Sequence, residues 1–142
     1  MIEVPVTLAT ASILGIFYIL LSMAVSEQRR RTKIGLGNGA DSSVALGAEN
    51  TASGLFIAVR RHGQFAEYVP LSLVLILLLE LSGVPRAWLL GLAAALVLAR
   101  IMVTAGLGRP APNVLRAGGA SLQMLMILVA CIYGLVLAAS HV

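Results

Sequence analysis

Charge is scarce in this chain. Of its 142 residues only 11% are Asp, Glu, Lys or Arg, against 59% hydrophobic, and mean hydropathy is +0.97, which excludes an ordinary soluble domain. Cysteine occurs once, as Cys131 within the apolar run 127–132. No intramolecular disulfide can form, and packing is the expected role of that thiol. Histidine occurs twice, as His62 and the near-terminal His141, with no second histidine at metal-ligand spacing, so no metal site is expected. The basic cluster follows the first apolar run where a secretory signal peptide would have it before, so that run reads as a retained first helix.

What remains is apolar sequence in four runs, each about the length that crosses a hydrocarbon core. The expected helices are 4–26, 52–81, 87–107 and 117–140, making one all-α, integral membrane four-helix bundle with no separate soluble domain. A Gly/Asn/Ser-rich stretch, 34–51, breaks the helical pattern and reads as a long loop that includes Gly39, Asp41, Ser42 and Ser43. Gly118 and Gly119, with Ala120 and Ser121, would let a neighbouring helix approach the fourth run closely.

The net charge of +4 records topology rather than a nucleic-acid partner. Arg29, Arg30, Arg31, Lys33, Arg60, Arg61, Arg109 and Arg116 fall at the first and third loops or the helix ends beside them, and only Arg86 falls on the other side. By the positive-inside rule those loops are cytoplasmic and both termini lie outside the cytoplasm. Trp88 is placed as an aromatic anchor at the opposite interface.

The polar chemistry gathers in the second run. At 3.6 residues per turn Arg60, Gln64, Glu67 and Leu71 share one face, with Tyr68 on its flank and His62 opposite. Only twelve charge-free residues, 68–79, follow, so this stripe must enter the membrane interface, and Pro70 is expected to kink or loosen one turn. Ionisable groups in a span are costly and mark either a ligand site or a structural pairing. Arg60 and Glu67 admit both. His62 is expected to be a solvated interfacial residue, and Glu80, at the far end of the same helix, a structural cap near Arg86. Arg100, deeper than Arg109 and Arg116, is the better candidate to pair with Glu67 or with an anionic ligand.

The pattern Arg60-x-His62-x-Gln64-x-x-Glu67-Tyr68-x-Pro70 on the second of four helices resembles the membrane-associated proteins in eicosanoid and glutathione metabolism, the MAPEG family. The lead-in Arg31-x-Lys33-Ile34-Gly35-Leu36-Gly37-Asn38-Gly39 and the trailing Leu77-Leu78-Leu79-Glu80 look like its bacterial branch. The resemblance covers nearly the whole chain in helix number and loop polarity. It implies a homotrimer in the bacterial inner membrane, with glutathione as co-substrate bound between subunits near the cytoplasmic side.

It further implies that Arg60, Gln64, Glu67 and Tyr68 contribute from the second helix, Arg100 from the third helix of an adjacent subunit, and Arg30 more weakly from the first. Arg116, or less favourably Arg109, stands where family enzymes carry an arginine that assists thiol ionisation. Three departures are visible, one being a first loop and lead-in to Arg60 that look longer than in the bacterial pattern. Gln64 replaces the usual Asn, and residues 101–107 lack the tyrosines that follow the matching arginine in leukotriene-forming relatives.

Two functions from different classes follow. One is a glutathione transferase or peroxidase acting on apolar electrophiles or lipid hydroperoxides from the bilayer, with membrane lipid and glutathione as partners. The other is a non-catalytic lipid-binding or scaffold protein of the same family. A proton-coupled exporter of similar size would need an acid midway along its first helix, and 4–26 contains none.

Overall fold

The computed structural model describes residues 3–38, 44–45 and 47–140. His141 and the loop residues Gly39, Asp41, Ser42 and Ser43 lie outside them. The described residues form four long helices: α1 (Pro5–Thr32), α2 (Gly54–Leu81), α3 (Arg86–Gly106) and α4 (Val114–Ser140), with a short 3₁₀ turn (Glu49–Thr51) before α2. Each is long and apolar enough to cross a membrane, and the chain is an integral membrane protein.

Helix α1 outruns its apolar stretch by six residues. Glu27 accepts from Arg30 at 2.6 Å and Arg31 at 2.7 Å, spacings of three and four that hold the basic turn helical, until Lys33 takes a left-handed φ of 57°. Its start has no side-chain cap of its own. Glu80 of α2 supplies one instead, accepting from the Val6 and Thr7 N–H groups at 2.9 and 2.7 Å. The expectation of Glu80 as a structural cap therefore holds, with α1 rather than the Arg86 turn as its object.

That contact, with Trp88 stacked on Tyr133 at 6.1 Å, brings the start of α1, the end of α2, the start of α3 and the end of α4 together. At the other end Arg61 donates to the Leu107 carbonyl at 2.7 Å and Arg116 meets Glu49. The four helices thus alternate in direction. Helix α2 runs through Pro70 without a break.

The core centres on Leu14, Phe65, Ile76, Leu96, Met126 and Ala130, one face from each helix. The outward faces stay apolar: Leu8, Ile16, Leu20, Leu128 and Leu135 are among many large exposed side chains, as expected where the solvent is lipid. Helices α3 and α4 approach closely at Gly119. A Cβ there would lie 2.9 Å from both Met102 Cβ and the Val103 nitrogen, so the small residues at the start of α4 serve the packing expected of them.

Candidate functional site

The chemistry-bearing residues collect at the end of the bundle that holds the long loop. Asn113 caps α4: its Oδ1 accepts from the Leu115 and Arg116 N–H groups at 3.0 and 3.3 Å, and its Nδ2 donates to the Gly106 carbonyl at 3.2 Å. This pins the first turn of α4 onto the end of α3, where a Cβ at Gly106 would collide with the Arg116 backbone at 2.6 Å. Arg116 is thereby aimed back toward α2.

Glu49, from the 3₁₀ turn, meets it there. One carboxylate oxygen accepts from Arg116 Nη1 at 3.1 Å; the other accepts from the main-chain N–H groups of Gly47 at 2.9 Å and Ala111 at 3.0 Å. Hydrogen bonds from its own main chain and from Ala111, then from Gly47, and the nearby Arg116 charge hold its pKa below the ordinary 4.5. The carboxylate is ionised and ties the long first loop to the third.

Between these loops and α2 lies a cavity of about 230 Å³. Arg60, Gln64, Glu49 and Arg116 form its polar wall, Phe56 and Leu107 part of its apolar wall. Three residues expected from the sequence, Arg60, Gln64 and Arg116, are therefore brought together.

Gln64 also belongs to a smaller cavity, about 60 Å³, lined by Tyr68, Arg100, Gln123 and Met124 among others. Here Arg100 is only 3% exposed. Its Nη1 donates to the Gln64 carbonyl at 3.3 Å, and its guanidinium lies 5.5 Å from the centre of the Tyr68 ring. Ser72 donates to the Tyr68 carbonyl at 2.8 Å and accepts from Gln123 Nε2 at 2.7 Å.

Other expected residues stand apart. Among the described residues no ion pair joins Glu67 to Arg60 or Arg100. Arg60 and Glu67 are exposed. The pairing of Arg100 with Glu67 is replaced by contacts to the Gln64 backbone and the Tyr68 ring, because α3 meets α2 on the flank of the stripe rather than on its crest. The Nε of Arg100 is buried without a partner among the described residues. Arg30 is exposed and committed to Glu27. His62, expected in solvent, is half-buried with its ring 4.7 Å from that of Tyr18 on α1.

Glu49 and Asn113 carry much of the geometry and were not singled out from the sequence. An acid inside a Gly/Asn/Ser-rich loop and an Asn just before an apolar helix were the available signals.

An all-helical integral membrane protein with an arginine-lined cavity opening beside the loop ends of α2 and α4 is the class these features define. The MAPEG family model matches residues 7–136, and the chain belongs to the MAPEG family. That match identifies the family and no branch within it. Neither the curated proteins nor the solved structures returned a match.

Proposed function

We propose that this protein is a membrane-bound glutathione transferase or peroxidase acting on apolar electrophiles or lipid hydroperoxides drawn from the bilayer. The observation that carries the reading is the meeting of Arg60, Gln64 and Arg116 on one cavity whose remaining wall includes Phe56, Ile57 and Leu107. Glutathione offers two carboxylates, an ammonium, peptide groups and a thiol. Arg60 suits a carboxylate, Gln64 a peptide group, and a guanidinium beside the sulfur favours thiolate over thiol. In the transferase reaction that thiolate forms a carbon–sulfur bond as the electrophile's leaving group departs with its electron pair. With a hydroperoxide, two glutathiones supply two electrons and yield alcohol, water and the disulfide.

The cavity is smaller than the roughly 300 Å³ at which ligand pockets usually begin, so a tripeptide needs a further wall. Arg60 and Glu67 lie exposed, about 10 Å apart along α2, and a carboxylate facing lipid midway along a span is costly. A homotrimer that places glutathione between subunits answers both points, with Glu67 receiving the ammonium and Tyr68 beside it. Arg100 then acts from behind, bracing Gln64 and Tyr68, and Arg30 is the weakest member of the set. The arginine-rich loop end faces the cytoplasm and both termini lie outside it.

A second reading, a non-catalytic lipid-binding or scaffold protein, has one specific observation in its favour. Arg116 is already engaged by Glu49 at 3.1 Å, and no tyrosine follows Arg100 before Leu107 to share the work. Binding of radiolabelled glutathione to the purified protein in neutral detergent separates the two. The transferase reading expects saturable binding at millimolar glutathione or below and about ten-fold weaker binding by Arg60→Ala, the loss of one charge-assisted hydrogen bond. No binding at millimolar glutathione, or equal binding by the variant, removes it.

A further inference from the structure

Around α2 from the cavity just described, and sharing Ile57, Leu107 and Gly108 with it, lies a second cavity of about 360 Å³ at the ends of α1, α2 and α3. Its cationic members are Arg61 of α2 and Arg109 of the third loop, with Gln28 of α1 beside them. Arg61 and Arg109 are close enough for their charges to repel. No carboxylate lines this cavity among the described residues, and neither arginine has an ion-pair partner among them. Glu27, one residue before Gln28, is occupied by Arg30 and Arg31.

Part of Arg61 has a structural use. Its Nη2 satisfies the Leu107 carbonyl at the end of α3, a common role for arginine at a helix C-terminus. That bond employs one of five N–H groups and cancels no charge. The Nε of Arg61 is buried without a partner, and a buried donor left unpaired is costly. Two like charges lining one cavity with no carboxylate make a site in which an anion is the missing component.

We propose that Arg61 and Arg109 bind the phosphate of an anionic membrane lipid. The two planar forks can bracket a tetrahedral phosphate oxygen set through their outer N–H groups. The site lies where the bundle passes from apolar to charged sequence, the level of headgroups. Ala24 forms part of its wall, and the exposed Met23 beside it and Leu20 one turn earlier on α1 lead from it along the span, a surface on which an acyl chain can lie. A free phosphate would gain the guanidinium contacts and none of that apolar one. This site does not depend on glutathione binding.

Native mass spectrometry of the delipidated protein in neutral detergent, titrated with phosphatidylglycerol, tests the proposal. Arg109 is exposed and its side chain makes no hydrogen bond or ion pair among the described residues, so Arg109→Gln should fold normally; Arg86→Gln, at the opposite end, is the control. The expected result is one phosphatidylglycerol held per subunit more tightly than phosphatidylcholine. Arg109→Gln should weaken it about ten-fold, Arg86→Gln should leave it unchanged, and inorganic phosphate at tens of millimolar should fail to displace it. Equal retention of the two lipids, or unchanged retention by Arg109→Gln, overturns the site. Displacement by inorganic phosphate overturns the lipid assignment in favour of a soluble phosphate.

Discussion

Glu49 and Arg116 stand sixty-seven residues apart in the chain and 3.1 Å apart in space. The same carboxylate holds the Gly47 and Ala111 N–H groups, so one side chain joins the first loop, the third loop and the first turn of α4. Arg116 remains 41% exposed while Glu49 is only 14% exposed: the acid is enclosed by its donors and the guanidinium keeps a free edge toward the cavity.

Removing the Glu49 charge should therefore loosen the loops and free Arg116. Glu49→Gln is expected to lower the thermal midpoint in detergent. The pH dependence has a defined sign. Because the folded pKa lies below the ordinary 4.5, the contribution is fully present above that value and is lost as pH falls through the lower, folded pKa. The wild-type midpoint should drop more steeply than the variant's below about pH 4.5, as followed by scanning calorimetry; parallel curves would show that Glu49 is not the group responsible.

The approach of α3 and α4 at Gly119 leaves no room for a side chain. Gly119→Ala places a Cβ 2.9 Å from Met102 Cβ and the Val103 nitrogen, and should cost about 1–3 kcal/mol, the usual range for overpacking. Gly15→Ala on α1, with nothing within 4 Å, should be neutral or slightly stabilising in helical context. Unfolding of the two variants in mixed detergent measures the contrast, and equal effects would contradict the packing described.

Ser72 and Gln123 form a buried polar pair in an apolar core, joined at 2.7 Å, with Gln123 Oε1 already lacking a partner. Ser72→Ala leaves the amide stranded and should destabilise by about 1–3 kcal/mol. Gln123→Leu should act in the same direction, because it leaves Ser72 without its donor. The double variant, apolar on both sides, should recover much of the loss. A double-mutant cycle by chemical denaturation reads the coupling directly; strictly additive losses would mean that the pair does not act as one.

Much of the architecture was legible in the sequence because bilayer length and hydropathy constrain it so strongly. Four apolar runs became four helices, and the face shared by Arg60 and Gln64 on α2 emerged as one wall of a cavity. Groups whose partners are distant were harder to read. Helix α1 continued to Thr32 because Glu27 neutralises the arginines that seemed to end it. Glu49 looked like loop composition because its partners lie 62 and 67 residues away. The depth of Arg100 was legible and its neighbours, the Gln64 carbonyl and the Tyr68 ring, were not: a helical wheel gives the angle of a side chain but not the flank on which the next helix packs. His62 lay opposite the stripe as expected, and that side proved to be covered by Tyr18 of α1.

The central claim, that the cavity between α2 and the start of α4 holds glutathione with its sulfur beside Arg116, is tested most directly by ultraviolet difference absorbance of the thiolate at neutral pH. Addition of glutathione to the wild-type protein should produce the thiolate band. Arg116→Gln should still bind glutathione with most of that band lost, and Arg60→Ala should reach the same band only at higher glutathione. Bound glutathione with no thiolate band in the wild type, or an undiminished band in Arg116→Gln, would contradict the account.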